Sequence, residues 1–246
     1  MKKIRKILIE KGREHFRKRK RIYPFTKVAA ADRFLNNLDK YPHAFVLACL
    51  ADQQMKAEKA WLIPYEIYKK LGGFSFRRLK RLTIGEINRL MTKPDKLHHY
   101  PKKMSKYIYA AIKHISEKYN GDASLIWRNR PSSAQIVLRF ILFRGMGIKI
   151  ATMAANILAR DLKVPMRDHY SIDISPDRHV KRTFKRLGLI TPQATNEELI
   201  YCARALHPEF PGLLDYPAYT IGKNWCRPGK PLCDECHMTN ACPKIY

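Results

Sequence analysis

Four cysteines stand within the last 21 residues: Cys226, Cys233, Cys236 and Cys242, spaced C-x6-C-x2-C-x5-C. Four thiolates this close in sequence can reach one centre and complete its coordination without help from elsewhere. The two centres that accept four Cys ligands are a structural Zn²⁺ and a [4Fe–4S] cluster. Zinc sites usually show two tight C-x2-C knuckles, whereas here only Cys233 and Cys236 are so close. The wider gaps on either side suit the bulkier cluster, and zinc is the alternative. With no open coordination position, either centre would be structural rather than hydrolytic. A pair of disulfides fits less well, because the chain has six cysteines in 246 residues and its basic N-terminus lacks the apolar core of a secretory signal. Cys49 and Cys202 lie in apolar surroundings and read as core thiols.

A second group of residues could hold phosphate. Phe143-Arg144-Gly145-Met146-Gly147-Ile148-Lys149 lies between two apolar helical stretches. Two glycines two apart make a tight hairpin whose backbone N–H groups, with those that start the next helix, can bind an anion. Gly-x-Gly alone is more often a plain turn.

The elements that would position these groups are helical almost throughout, with 3.6-residue periodicity and no long polar–apolar alternation. The pattern predicts helices over Lys27–Leu38 and Ala44–Leu71, the second broken or kinked at Pro64. A capping box at Thr83-Ile84-Gly85-Glu86 opens a helix to about Met91, and Pro101–Tyr119 is amphipathic and stopped by Asn120-Gly121. Ser132–Phe143 and Ile148–Leu162 flank the hairpin. A further helix starts at Ser175-Pro176 and ends at Gly188, and Thr195-Asn196-Glu197-Glu198 is a second capping box. Lys2–Lys20 reads either as a basic helix or as a disordered arm.

Charge indicates the partner. Lys and Arg total 48 against 21 Asp and Glu, a formal net charge of +27. A polyanion relieves the self-repulsion of such a surface, and phosphate neutralisation releases condensed counterions, so nucleic acid is the expected ligand. An anionic membrane is disfavoured because the cations are spread along the whole chain. No apolar run reaches transmembrane length; the richest, Ile136 to Phe143, is interrupted by Arg139. The expected location is the cytoplasm, in association with the nucleoid.

The Gly-x-Gly-x-Lys hairpin, an Asp at a helix start and the cysteine spacing together resemble the endonuclease III branch of the helix-hairpin-helix DNA glycosylase superfamily, from about Tyr41 to Pro243. The resemblance implies an all-α fold of two helical domains flanking a DNA-binding cleft. One is a six-helix barrel with the hairpin, over 36–162. The other is an iron–sulfur domain from 1–35 and 163–246, with the four cysteines on a [4Fe–4S] cluster. It implies a monomeric base-excision glycosylase with AP-lyase activity, acting on double-stranded DNA that carries a damaged base, oxidised pyrimidines first, or an abasic site.

Residue by residue, Lys149 falls at the family's Schiff-base lysine. A lysine at the start of an apolar helix is partly desolvated and near a positive dipole, and both effects favour the free amine. Asp177, in Pro176-Asp177-Arg178-His179-Val180, falls at the essential carboxylate, where helix N–H groups favour negative charge. Asp173 is the reserve carboxylate. Gln53 and Gln54 resemble the glutamine motif that fills the hole left by a flipped base. His99 and Tyr100 fall near the intercalating wedge, and Arg144, Gly145, Gly147, Arg178 and Arg182 near the phosphate track, with Arg186 on the same helix face. The chain departs from the family at four places: a histidine at the wedge in place of an aliphatic residue, Arg144 for the usual proline, Ile150 for a common Thr, and a long interval of 28 positions from Lys149 to Asp177. Two other readings stay open: a monofunctional mismatch or uracil-type glycosylase, and a non-catalytic nucleic-acid binder.

Overall fold

The computed structural model describes residues 1–245, and among them there is no β-strand. The chain forms two compact units. The first comprises Met1–Arg19, Ser132–Val137 and Ala155–Tyr246, and the second Lys20–Pro131 and Leu138–Ala154.

In chain order the α-helices are α1 (Lys2–Arg17), α2 (Ala29–Asn36), α3 (Pro42–Ala51), α4 (Ala57–Leu71), α5 (Phe76–Leu79) and α6 (Ile84–Thr92). They continue with α7 (Pro101–Lys118), α8 (Ser133–Ile141), α9 (Ile148–Arg160), α10 (Arg178–Arg186), α11 (Asn196–Leu206) and α12 (Asp215–Asn224). Short 3-10 turns cover Ala123–Ile126 and Pro211–Leu214. Helices α8 and α9 each supply residues to both units. None of these helices is long and apolar enough to cross a membrane.

Both capping boxes form as expected. Thr83 and Thr195 each accept the N–H of the third helical residue, Glu86 and Glu198, whose carboxylates reach back to the cap N–H. Helix α7 stops where Asn120 and Gly121 both take positive φ, 50° and 82°. The basic N-terminus is a helix rather than an arm, because Ile4, Leu8 and Gly12 fall on one face and are buried. One expected break moves. Pro64 lies inside an uninterrupted α4, while the chain breaks earlier, between Ala51 and Ala57, where Gln54 sits at φ 55°. Helix α12 escaped the sequence pattern because its Pro217 and Gly222 blur the apolar stripe.

The second unit is built on α3, which is buried at all ten positions. Phe45 at its centre meets Trp61, Trp127 and Phe140 edge-on, with ring centroids 5.7, 5.7 and 6.3 Å away. The first unit gathers Ile4 and Leu8 of α1, Val180 and Phe184 of α10, Leu199 and Ala203 of α11 and Ala218 and Ile221 of α12 into one core. Cys226, Cys236 and Cys242 pack against that core.

Helices α10 and α12 approach closely at Gly222, where an added Cβ would lie 2.5 Å from the His179 carbonyl oxygen. Thr183 Oγ1 locks the same pair by donating to the Ala218 carbonyl at 3.0 Å. Gly222→Ala should therefore force the helices apart and destabilise the protein by about 1–3 kcal/mol. Urea unfolding is the measurement, and an unchanged midpoint would contradict this packing.

Candidate active site

In the second unit the hairpin between α8 and α9 turns at Gly145, at φ 95°, with the Tyr107 ring 2.6 Å from where a Cβ would stand. Only glycine satisfies both the backbone conformation and the ring. Gly147 differs, since a Cβ there would meet nothing within 4 Å. Its carbonyl accepts the N–H groups of Ile150 and Ala151, both at 3.0 Å, and so begins α9. Met146 and Ile150 are buried and anchor the turn, while Arg144 and Gly147 face solvent.

Lys149 is the second residue of α9 and is exposed. The desolvation expected from its apolar helix does not occur, because the first turn, with Ile148 40% exposed, stands clear of the core.

Two loops are fastened to this hairpin. Gln53 Nε2 donates to the Gly145 carbonyl at 3.1 Å and to the Leu50 carbonyl at 2.7 Å. Gln53 is thus engaged within the protein, whereas Gln54 is exposed in a left-handed conformation. His98, 3% exposed, joins the third loop. Its Nδ1 accepts the Tyr100 N–H at 3.0 Å, which leaves Nε2–H to donate to the Gln53 carbonyl at 3.1 Å. Burial pushes the His98 imidazolium down, consistent with this neutral form. His99 and Tyr100 are exposed beside it, Tyr100 at 53%. His98 was not singled out from the sequence; its position next to two exposed ring residues was the available signal.

In the first unit Asp177 is the N-cap of α10, and its Oδ1 accepts the His179 N–H at 2.7 Å. Asp173, the reserve carboxylate, is buried and bound by both arms of Arg204, at 2.7 and 2.8 Å. The long interval before Asp177 is tied down. Asp168 accepts from the Ser133 hydroxyl at the start of α8, Ser133 Oγ accepts the Ser171 N–H at 3.0 Å, and His169 stacks on Phe210 with centroids 4.6 Å apart.

The arginines of α10 divide. Arg178 is exposed. Arg182, expected on a phosphate track, turns inward: Nε donates to the Cys226 carbonyl at 2.6 Å and Nη2 to the Gly222 carbonyl at 2.7 Å. Arg186 donates to the carbonyls of Arg227 and Pro228 at 2.6 and 2.8 Å, and its Nη1 lies 3.6 Å from Cys226 Sγ. These residues clamp the segment that carries the first of the four cysteines.

Cys226, Cys233, Cys236 and Cys242 line a single pocket with Ile221, Leu232 and Met238. Burial raises the thiols of Cys236 and Cys242. Among the described residues no three His, Cys, Asp or Glu side chains are drawn together as a set for one metal ion. The donor set nevertheless suits a four-thiolate centre. All four sulfur-bearing residues face one apolar hollow, and the Arg186 guanidinium beside Cys226 offsets thiolate charge. Cys49 is fully buried, and Cys202 packs against the first unit's core, as expected of core thiols.

No family model matches the chain. Over 159 residues it is 30% identical to endonuclease III of Thermotoga maritima, a match that covers 61% of this chain and 64% of that protein, less than two thirds of its length. The backbone superposes on a trapped endonuclease III–DNA covalent intermediate with a TM-score of 0.62 and 16% identity, covering 87% of this chain and 92% of that one. It superposes on a thermostable thymine-DNA glycosylase with a TM-score of 0.66 and 14% identity, over 99% and 97% of the two chains. The fold is thus the all-α fold of these proteins. In sequence the chain is similar to an endonuclease III, and in fold to endonuclease III and a thymine-DNA glycosylase.

One buried ionic group lies beside the Asp177 segment. Asp215, with its side chain 13% exposed, accepts the Ser175 N–H at 2.8 Å and lies 3.9 Å from Arg160 Nη1. Burial pushes its carboxyl up to about 6, against the pull of Arg160 and the Ser175 N–H and aided by the charges of Asp177 and Asp161. The folded protein therefore binds a proton that the unfolded chain, at the ordinary value of 3.8, releases. This contribution to stability is complete below about pH 4 and lost as pH rises through about 6. Asp215→Asn keeps the acceptor and removes the buried charge. It should be more stable than the wild type at pH 8, by up to about 3 kcal/mol, and equal at pH 4. Thermal unfolding across pH tests this, and equal shifts at both ends would contradict it.

Proposed function

We propose that this chain is a base-excision glycosylase that acts on double-stranded DNA, with Lys149 as nucleophile and Asp177 as the working carboxylate. The observation that carries the reading is the lysine's setting. It follows a glycine-turned hairpin held to the Gln53 and His98 loops, in a chain whose fold matches that of an endonuclease III trapped covalently on DNA. The backbone N–H groups at the start of α9, with Arg144, would hold phosphate. Gln54, His99 and Tyr100 stand exposed nearby, suited to fill or wedge the duplex where a nucleotide has left the stack. Arg178, exposed on α10, is the backbone contact of the other unit.

The chemistry is nucleophilic. The Lys149 amine attacks C1′ of the damaged nucleoside, the C1′–base bond breaks, and the base leaves with the pair of electrons and takes up a proton. The C1′–O4′ bond then opens, O4′ taking up a proton, to give an iminium that acidifies the sugar C2′ proton, and loss of that proton expels the 3′ phosphate. Asp177 would accept the proton of the lysine ammonium and stabilise the cationic sugar. Asp173 is held by Arg204 and is assigned to the fold. Oxidised pyrimidines are the proposed substrate class.

Cys226, Cys233, Cys236 and Cys242 would hold a [4Fe–4S] cluster. Bound there, the group supplies a cross-link rather than a reaction site, because four thiolates complete its protein ligation. The chain's own part is to present Arg227, Lys230 and Lys244, all exposed on the cysteine loops, to phosphate.

A monofunctional mismatch glycosylase is the second reading. The thymine-DNA glycosylase superposes on 99% of this chain, and Lys149 is exposed.

Borohydride trapping on duplexes with an abasic site or an oxidised pyrimidine tests the first reading. A covalent adduct should form and be lost in Lys149→Ala, and Asp177→Asn should slow base release by at least about 100-fold. Base release without an adduct would establish the monofunctional reading, and neither product on any lesion would sink both. The purified protein should also be brown and carry iron. Replacing Arg182 with Ala should speed the loss of that iron to a chelator, since it unties the Cys226 and Gly222 carbonyls. A colourless protein with bound zinc would overturn the cluster.

A further inference from the structure

Asp215 begins α12 in the first unit, and the function proposed above leaves it without a role. Its placement relative to Asp177 is tightly specified. Asp215 Oδ1 accepts the Ser175 N–H at 2.8 Å, and Asp177 N–H donates to the Ser175 carbonyl at 2.7 Å. One residue, Ser175, thus ties the Asp215 carboxyl to the backbone of Asp177. Asp177 then caps α10, and α10 is locked to α12 through Gly222 and through Thr183 on the Ala218 carbonyl. The two acidic residues therefore stand at the starts of two interlocked helices, connected through hydrogen bonds to Ser175.

The surrounding charges are few. Arg160 at the end of α9 and Asp161 just after it face Asp215, as does Asp177 from the segment before α10. Arg160 grips Asp161 through Nε and Nη2, at 3.1 and 2.7 Å to Oδ2, and Asp161 Oδ1 is 3.2 Å from His15 Nε2 on α1. Tyr216, the next residue of α12, stacks on His15 at 3.5 Å and carries the Arg160 guanidinium 5.1 Å from its ring centre. Arg160 is thus committed first to Asp161, and approaches Asp215 only to 3.9 Å.

We propose that Asp215 is the positioning residue for Asp177: its carboxyl fixes the Ser175 N–H, and with it the segment that carries Asp177, and its charge acts on Asp177 during base excision. The inference rests on the assignment of Asp177 above. Burial and the Asp177 charge place the Asp215 titration at about pH 6. When Asp215 ionises, a second negative charge stands next to Asp177, strengthening it as a proton acceptor and as the stabiliser of a cationic sugar.

The test is the pH dependence of single-turnover base release, with the intact chain as purified. The wild-type rate should rise through about pH 6. Asp215→Asn, which retains an acceptor for the Ser175 N–H, should lack that rise: equal to wild type near pH 5, about tenfold slower above pH 7, and unchanged in DNA affinity. A variant profile that superimposes on an active wild type overturns the inference and leaves the glycosylase reading intact. An inactive wild type sinks the glycosylase reading, and the carboxyl coupling is then read directly. In a ¹³C NMR titration of the carboxyl groups, Asp177→Asn should move the Asp215 midpoint to lower pH. An unmoved midpoint overturns the pairing whatever the activity, and this arm does not require Asp215→Asn to fold.

Discussion

The contact of α10 with α12 is the constraint on which the first unit depends. Gly222 lets the two backbones meet, and two arginines of α10 reach across to the carbonyls of residues 222 to 228. Those carbonyls belong to the end of α12 and the strand of chain beyond it, which have no helical partner to satisfy them. A guanidinium with five donors suits them better than a lysine would. The same contact orients both ends of α10: Asp177 at its start, and Arg186 beside Cys226 at its end. Cysteine pocket and acidic cap are consequences of one helix pairing.

The second unit solves a similar problem with neutral groups. Its hairpin carbonyl at Gly145 is taken by an amide, Gln53, whose own carbonyl is taken by an imidazole, His98. Three loops distant in sequence become one surface without a buried charge. Gln53 gives through its side-chain N–H and receives through its main-chain carbonyl, so one residue links both neighbours. Gln54, His99, Tyr100, Arg144 and Lys149 are exposed on or next to these loops.

Charge is handled by segregation. A net charge of +27 is carried chiefly by exposed lysines and arginines. One group of ionic residues of the first unit, Arg160, Asp161, Asp215 and the partly buried His15, is gathered away from solvent, and buried Asp173 pairs separately with Arg204. Burial alone would raise the Asp161 carboxyl, but Arg160 and His15 outweigh it and hold it below the usual range. One guanidinium cannot do as much for two carboxylates, and Asp215 is left as the proton-holding member.

Much of this was legible in the sequence, because local rules govern it. The capping boxes at Thr83 and Thr195, the stop at Asn120-Gly121, the hairpin glycine at 145 and the common destination of four closely spaced cysteines each follow from a few adjacent residues. The folded chain decided what depends on residues far apart. It kept Pro64 inside a helix and moved the break to Gln54, because tertiary contacts override a local propensity. It turned Arg182 from an expected phosphate contact into a clamp on Cys226, and fixed Asp173 to Arg204. It exposed Lys149, and it paired Asp215 with the Asp177 segment 38 positions earlier in the chain. Side-chain types and spacings specify which groups are present and the local turns that carry them; which partner a long cation or a buried acid meets is set only when the helices pack.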